Sequence, residues 1–184
     1  METFIEAKAF VAHPRYAHDR SRVLAALDPG SLDEPIRDII SGFARRSYCF
    51  PLQSCYGHFI CTAGQASRTF DPVPDGYEGM VRYRIAYIAL CIQNSREGRT
   101  LRAALEEVPE LSPDYIQFGS AGWFWERCVN TYVLQVEPIR HKEKDEVRLD
   151  ADEAMHIKHV RDVFFMNLKN LLGRHIMGTA DRER

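Results

Sequence analysis

The densest group of chemically versatile side chains in this sequence lies between Cys49 and Cys61, where three thiols and one imidazole share a short span. Its centre joins a hydroxyl, a thiol, a phenol, a glycine and an imidazole: Ser54, Cys55, Tyr56, Gly57 and His58. A glycine between two apolar segments is typical of a tight turn, because glycine tolerates a close approach of the backbone. The favoured prediction is a turn that lines a ligand pocket.

A metal site is one alternative for this span, since Cys49, Cys55, His58 and Cys61 are all metal-ligand residue types. Zinc, however, takes four tetrahedral ligands, which structural sites draw mostly from two separated pairs. No second pair follows here, and on an extended segment His58 and Cys61 would point to opposite faces. No metal is therefore predicted, and the buried-hydrophobe interpretation of these thiols stays open.

Nucleophilic chemistry is a second alternative, with Cys55 as the nucleophile and His58 as its base. Catalytic pairs of this kind are neighbours in space rather than in sequence, and the sequence offers no third group to orient His58. A purely structural turn is the remaining alternative. Whether the chain is an enzyme stays open at this point.

An aromatic cluster, Trp123–Trp125, is the second candidate for function. Its rings could stack a base or another planar ligand, with Trp123 the first candidate. Such clusters more often fill a core or an interface. The alternative function is accordingly a non-catalytic binding or assembly module that uses this cluster.

Length and composition predict a single domain over residues 1–184, with an N-terminal arm (1–16), a long loop (64–79) and a frayed tail (178–184). Hydrophobic residues make up 45% and charged residues 27% of the 184 residues, which are ordinary globular values. The net charge of −2 argues against independent nucleic-acid binding, because phosphate contacts need clustered cations. A small molecule or nucleobase remains a compatible partner, and a homo-oligomer stays open.

The cysteine count and the hydropathy of the chain predict a cytoplasmic location. Five cysteines cannot all pair within one chain, and the N-terminal stretch carries charges where a secretory leader would be apolar. No apolar run reaches the length of a membrane span, so no membrane association is expected.

Periodicity predicts the elements that position the turn. Helices are expected at 19–27, 31–43, 95–107 and 152–174, and strands at 48–52, 57–62, 81–93, 115–118 and 131–136. The second helix is expected to begin at a capping box, Ser31 to Glu34, and the charged stretch 139–150 is expected to be turn-like. The fold class is mixed α/β: a central sheet of about five strands, helices mostly on one face, and a long C-terminal helix.

The helix at residues 32–40, followed by an aromatic strand and the turn Ser54–His58, resembles the wybutosine-synthesising tRNA methyltransferase family. In that family a similar helix leads into a Ser-Ser-Cys-Ser-Gly-Arg signature. The later order of elements is also similar, ending in a helix that here carries Arg161, Phe165 and Leu168. The resemblance implies an α/β fold and S-adenosylmethionine-dependent methylation of a tricyclic tRNA base.

The signature carries over to this chain only at Ser54, Cys55 and Gly57. Gln53 and Tyr56 stand where the family has serines, and His58 stands where it has arginine. Under this resemblance the five residues of the turn would line the pocket. A nucleobase would then stack on Tyr56 or Trp123, and S-adenosylmethionine would be the cofactor.

Overall fold

The computed structural model describes residues 4–141 and 145–180. The helices are α1 (Tyr16–Ala25), α2 (Arg37–Ala44), α3 (Arg96–Glu106), α4 (Gly122–Arg127) and α5 (Ala151–Ala180). The strands are β1 (Phe4–Ile5), β2 (Cys49–Cys55), β3 (His58–Ile60), β4 (Val81–Arg84), β5 (Ala86–Ile92), β6 (Ile116–Ala121), β7 (Thr131–Val136) and β8 (Glu146–Leu149). Within the described residues, no helix has the length and apolar composition needed to cross a bilayer.

The strands form two antiparallel sheets. The larger has five strands in the order β1-β6-β7-β5-β2, and the smaller has three in the order β3-β4-β8. The predicted fold class, mixed α/β with a long C-terminal helix, is confirmed. The smaller sheet was not predicted, because nothing in the local pattern separates its strands from those of the larger one.

One apolar core joins both sheets to three of the helices. Alternate β5 residues Ile88, Leu90 and Ile92 face α2, α3 and α5, whereas Ala89 and Cys91 face α1 and α4 on the opposite side. The α5 stripe is buried as its helical period predicts. The residues that build this stripe are Ala154, Ile157, Val160, Phe164, Leu168 and Leu172.

The predicted strand 81–93 is two strands in the structure, so the prediction of one continuous strand was wrong. The chain leaves the smaller sheet after Arg84 and enters the larger one at Ala86. The break is held by side-chain and backbone bonds: the Ala86 amide donates to the Tyr83 hydroxyl at 2.9 Å, and the Ile85 amide donates to the Asp145 carbonyl at 3.1 Å. The chain crosses between the sheets a second time at Tyr56 and Gly57, between β2 and β3.

The predicted capping box does not start a helix. Residues 29–36 form two short 3-10 turns, and α2 begins only at Arg37. Ser31 donates its hydroxyl back to the Asp28 carbonyl at 2.8 Å, so it is not available to cap a helix. The side chain of Asp33, inside the predicted box, instead accepts a hydrogen bond from the distant Tyr56 amide. A long-range contact has therefore replaced the local one.

The charged stretch 139–150 was predicted to be turn-like, and this is wrong for its last part. Glu146–Leu149 form β8, with Val147 and Leu149 buried and Glu146 and Arg148 exposed. Residues 61–80 contain neither helix nor strand. The single-domain organisation stays a prediction, and parts of the predicted arm (1–3) and tail (181–184) lie outside the described residues.

Candidate functional site

The predicted turn lies where the chain passes from the larger sheet to the smaller one. Gly57 adopts the left-handed conformation with φ +89°. A Cβ atom at this position would lie 2.9 Å from the Cβ of Ala86 and 3.1 Å from the Ala86 backbone nitrogen. The close backbone approach that glycine permits is thus made to the other crossing between the sheets, where the chain enters β5 at Ala86, and it explains why glycine is required at position 57.

His58 opens β3 and its side chain is fully buried. Its Nδ1 lies 3.0 Å from the carbonyl oxygen of Thr69, which can only accept, so Nδ1 carries a proton. Its Nε2 lies 3.3 Å from Oδ2 of Asp33, but among the described residues it makes no hydrogen bond of good geometry. Ligand atoms of Asp33, Cys55 and His58 all lie within 4.8 Å of one another.

Asp33 is the member of this group that the sequence did not reveal. It lies between the two 3-10 turns before α2, and its Oδ2 accepts a hydrogen bond from the Tyr56 amide at 2.8 Å. Burial of the carboxylate raises its pKa, but the His58 imidazole and the Tyr56 amide outweigh burial and lower the pKa below its usual value. Asp33 is therefore ionised at neutral pH.

The pKa of His58 is raised to about 9. Burial lowers this pKa, but the Asp33 carboxylate, the Cys55 sulfur and the Thr69 carbonyl together raise it by more. An imidazole that is protonated at neutral pH cannot take a proton from Cys55. Within this group, the ionised Asp33 carboxylate is the better proton acceptor.

The raised pKa of His58 predicts a pH-dependent stability. The folded-state pKa lies above the unfolded value of 6.5, so protonation favours the fold; this contribution is complete below pH 6.5 and is lost as pH rises through about 9. It amounts to on the order of 3 kcal/mol. We expect the stability difference between wild type and His58→Gln to shrink over that interval in urea denaturation at several pH values.

The matched control for this measurement is His156→Gln, because His156 is an exposed histidine on α5. Its pH profile should differ from that of His58→Gln, because His156 takes no part in the ion pair with Asp33. Parallel pH profiles for wild type and His58→Gln would show that the buried imidazole is not charged in the folded protein.

Arg161 of α5 closes the site from the side of the long helix. Its Nη1 donates to the Gly57 carbonyl at 2.9 Å and its Nη2 to Asp162 Oδ1 at 2.8 Å. The guanidinium lies 3.9 Å from the centre of the Tyr56 ring, whose hydroxyl donates to the same Asp162 oxygen. Phe165 also packs against Tyr56, with the two ring centres 5.3 Å apart.

Phe70, from the long loop, covers the outer side of the group. Its ring centre lies 5.3 Å from that of His58 and 6.1 Å from that of Tyr56. Half of the Phe70 side chain remains exposed, so the ring is a cover rather than part of the core. The Thr69 carbonyl bond to His58 holds this part of the loop in place.

The structure brings four of the predicted site residues together: Cys55, Tyr56, Gly57 and His58. Ser54 is half-buried and, because side chains alternate along β2, points to the opposite face from Cys55. Trp123 lies elsewhere, on α4 after β6, and β6 is separated from β2 by β5 and β7. The ligand-binding role of all six residues stays a prediction.

Comparisons with known proteins concern only the arrangement of the elements. No family model matches the chain, and no curated protein matches it. The PH1069 protein from Pyrococcus horikoshii is similar with a TM-score of 0.48 and 10% identity, over 87% of this chain and 95% of that chain. A hypothetical protein from Aeropyrum pernix is similar with a TM-score of 0.42 and 13% identity, over 77% of this chain and 96% of that chain. Neither likeness supports a methyltransferase activity.

Proposed function

We propose that the chain is a relative of the S-adenosylmethionine-dependent tRNA-modifying methyltransferases, with its ligand site at the turn 54–58. The observation that supports this is the meeting of two distant segments that carry the resemblance. Cys55 and Gly57 come from the signature, and Arg161 and Phe165 come from the terminal helix. In the fold Arg161 binds the Gly57 carbonyl, and Phe165 packs on the neighbouring Tyr56.

The residues around the turn suit a cationic or planar ligand. Phe70 offers a half-exposed aromatic surface that can attract a cation or stack on a base. The carboxylates of Asp33 and Asp162, which are paired with His58 and Arg161, lie on either side of the neighbouring Tyr56. The buried Nε2 of His58 makes no hydrogen bond of good geometry within the described chain. A ligand oxygen or nitrogen could therefore accept a hydrogen bond from it. These features fit the charged sulfonium and the adenine of S-adenosylmethionine.

The cofactor, when bound, supplies a methyl group on a positively charged sulfur. The protein would then act mainly by placing the acceptor amine in line with that group. The amine nitrogen would form the new bond to the methyl carbon as the carbon–sulfur bond breaks and the sulfur leaves as a neutral thioether, and the amine would lose one proton. Asp33, ionised at the edge of the site, is positioned to accept that proton, and the protonated His58 beside it stabilises the carboxylate until then.

The experiment that tests this proposal is isothermal titration calorimetry of the full chain with S-adenosylmethionine and S-adenosylhomocysteine. We expect saturable binding of both, and about tenfold weaker binding by Phe70→Ala because an aromatic surface of the site is lost. Met80→Ala is the matched control, since Met80 is also an exposed apolar residue near the end of the same loop. It should bind as wild type does.

Two results would contradict the proposal. One is the absence of binding by either compound and by free nucleosides at millimolar concentration. The other is an equal loss of affinity in Phe70→Ala and Met80→Ala, which would place the ligand away from the turn.

One residue of the predicted aromatic cluster, Trp123, favours the alternative function, a binding or assembly module. Its side chain is about half exposed, and the Arg127 guanidinium lies 3.4 Å from its ring centre. The rest of the cluster is not one surface: Phe124 is buried, and Trp125 packs edge-on against Tyr132. Concentration-dependent dimerisation in sedimentation velocity, without ligand binding, would favour this function over the first.

A further inference from the structure

A second group of metal-ligand side chains lies on the face of the larger sheet that α1 and α4 cover. His13 precedes α1, Cys91 lies on β5, and Cys128 follows α4. Both cysteines are buried, and the His13 side chain is 8% exposed. The three residues come from distant parts of the chain, so their spacing in sequence gives no sign of the group.

The three side chains converge with the dimensions of a metal site. The Cys91 and Cys128 sulfurs are 3.4 Å apart, and the Cys91 sulfur is 3.8 Å from His13 Nδ1. Ligand atoms of all three residues lie within 4.8 Å of one another. Zinc bonds of about 2.3 Å to sulfur and 2.0 Å to nitrogen at tetrahedral angles imply ligand separations of about 3.5 to 3.8 Å. The Cys91–Cys128 and Cys91–His13 separations, 3.4 and 3.8 Å, are close to this range.

The orientation of His13 is set by a carboxylate behind it. Its Nε2 lies 3.1 Å from Oδ2 of Asp19, and the ionised carboxylate can only accept. Nε2 therefore carries a proton in the neutral ring, which leaves the lone pair of Nδ1 facing the two sulfurs. Metal-binding histidines in proteins are commonly oriented by a carboxylate in this way.

We propose that His13, Cys91 and Cys128 form a zinc site, with Asp19 orienting the histidine. Two thiolates and one imidazole make a donor set that Zn²⁺ binds well, and three protein ligands leave a fourth position for water or another donor. The ion would connect the N-terminal arm to β5 of the larger sheet. Asn130 already holds the same arm through two hydrogen bonds to the Val11 backbone, both at 2.9 Å.

The test uses the full chain, reduced and stripped of metal with a chelator, and titrated with Co²⁺ and Zn²⁺. We expect one equivalent of Co²⁺ to give a thiolate-to-cobalt charge-transfer band and the visible bands of a tetrahedral centre, both removed by zinc. Cys128→Ser should lose about half or more of the charge-transfer intensity, since only the Cys91 thiolate remains, and bind zinc at least about a hundredfold more weakly. Cys49→Ser is the matched control, because Cys49 is equally buried but lies outside the group.

The substitution of the buried Cys128 could unfold the chain, so two further variants test the same site without removing a thiol. His13→Gln leaves both thiols in place, and we expect it to shift the visible bands and weaken binding. Asp19→Asn keeps all three ligands and should bind zinc about 10-fold to 100-fold more weakly. Cys55→Ser should leave the spectrum unchanged, since Cys55 belongs to the other group.

Three results would overturn the zinc site. The first is no cobalt spectrum in the reduced chain. The second is a spectrum that persists in Cys128→Ser but disappears in Cys55→Ser, which would move the metal to the turn. The third is a Cys91–Cys128 disulfide, found by mass spectrometry in protein purified without oxygen, because it would consume both sulfur ligands.

Discussion

Replacing Gly57 by alanine should lower the free energy of unfolding by about 2 to 5 kcal/mol, as the sum of two costs. The left-handed backbone with φ +89° disfavours any side chain. The added methyl group would also lie 2.9 Å from the Ala86 Cβ and 3.1 Å from its backbone nitrogen, and the backbone cannot rotate away as a flexible side chain would. Urea denaturation followed by circular dichroism measures the loss.

The control for this substitution is Gly76→Ala. Gly76 also has a positive φ, of +71°, but no atom lies within 4 Å of the position where its Cβ would be. It should therefore show only the conformational cost, about 1 to 2 kcal/mol. Equal losses in the two variants would mean that the two crossings of the chain are not in the tight contact described here.

Replacing Arg161 by methionine should cost about 2 to 4 kcal/mol of stability, because a buried cation with several partners is removed. The side chain is 8% exposed, and its loss leaves the Gly57 carbonyl and Asp162 without their shared donor. Asp162 is 40% exposed, which keeps the cost below that of a fully buried pair. Thermal and urea denaturation both measure the effect.

Arg82→Met provides the comparison for Arg161. Arg82 pairs with Glu146 at 3.5 Å, but both side chains are more than 40% exposed, so its removal should change stability by about 0.5 kcal/mol or less. A similar small effect in Arg161→Met would show that α5 does not depend on this contact with the turn. The same variant should then bind S-adenosylmethionine normally.

Elements set by local patterns were predicted well from the sequence. The strand Thr131–Val136 has the predicted limits, and Ser95 caps α3 by accepting from the Gly98 amide. Both depend on near neighbours in the chain. The residues of Thr131–Val136 have side chains that favour a strand. The Ser95 side-chain oxygen lies three residues before a backbone amide that would otherwise lack a partner. The apolar stripe of α5 was predictable for the same reason.

The predictions that were wrong concern features that depend on contacts between residues distant in the sequence. Asp33 belonged to a plausible capping box, yet its carboxylate binds the Tyr56 amide 23 positions later. The strand 81–93 showed no local break, because the hydroxyl of Tyr83 that holds the Ala86 amide acts only in the folded chain. Asp162 of the last helix accepts a hydrogen bond from the hydroxyl of Tyr56, a contact that arises only in the folded chain.

The candidate site was predictable only in part for this reason. The sequence could indicate a turn rich in polar groups, and four of its residues do lie together. It could not indicate Asp33 or Phe70, which reach the turn from two other segments, and it indicated Arg161 only through the family resemblance. A lone acidic residue before a helix and a lone aromatic residue in a loop carry no pattern that distinguishes them.

The contact between the two chain crossings also restricts how this sequence can diverge. Side chains at positions 57 and 86 would share the same space. Related sequences that keep this contact should therefore keep small residues at both positions. A larger residue at one position should be accompanied by a change at the other. An inserted residue between Tyr83 and Ala86 would shift β5 by one place. Because strand faces alternate, Ile88, Leu90 and Ile92 would then exchange sides, and such insertions should be absent from the lineage.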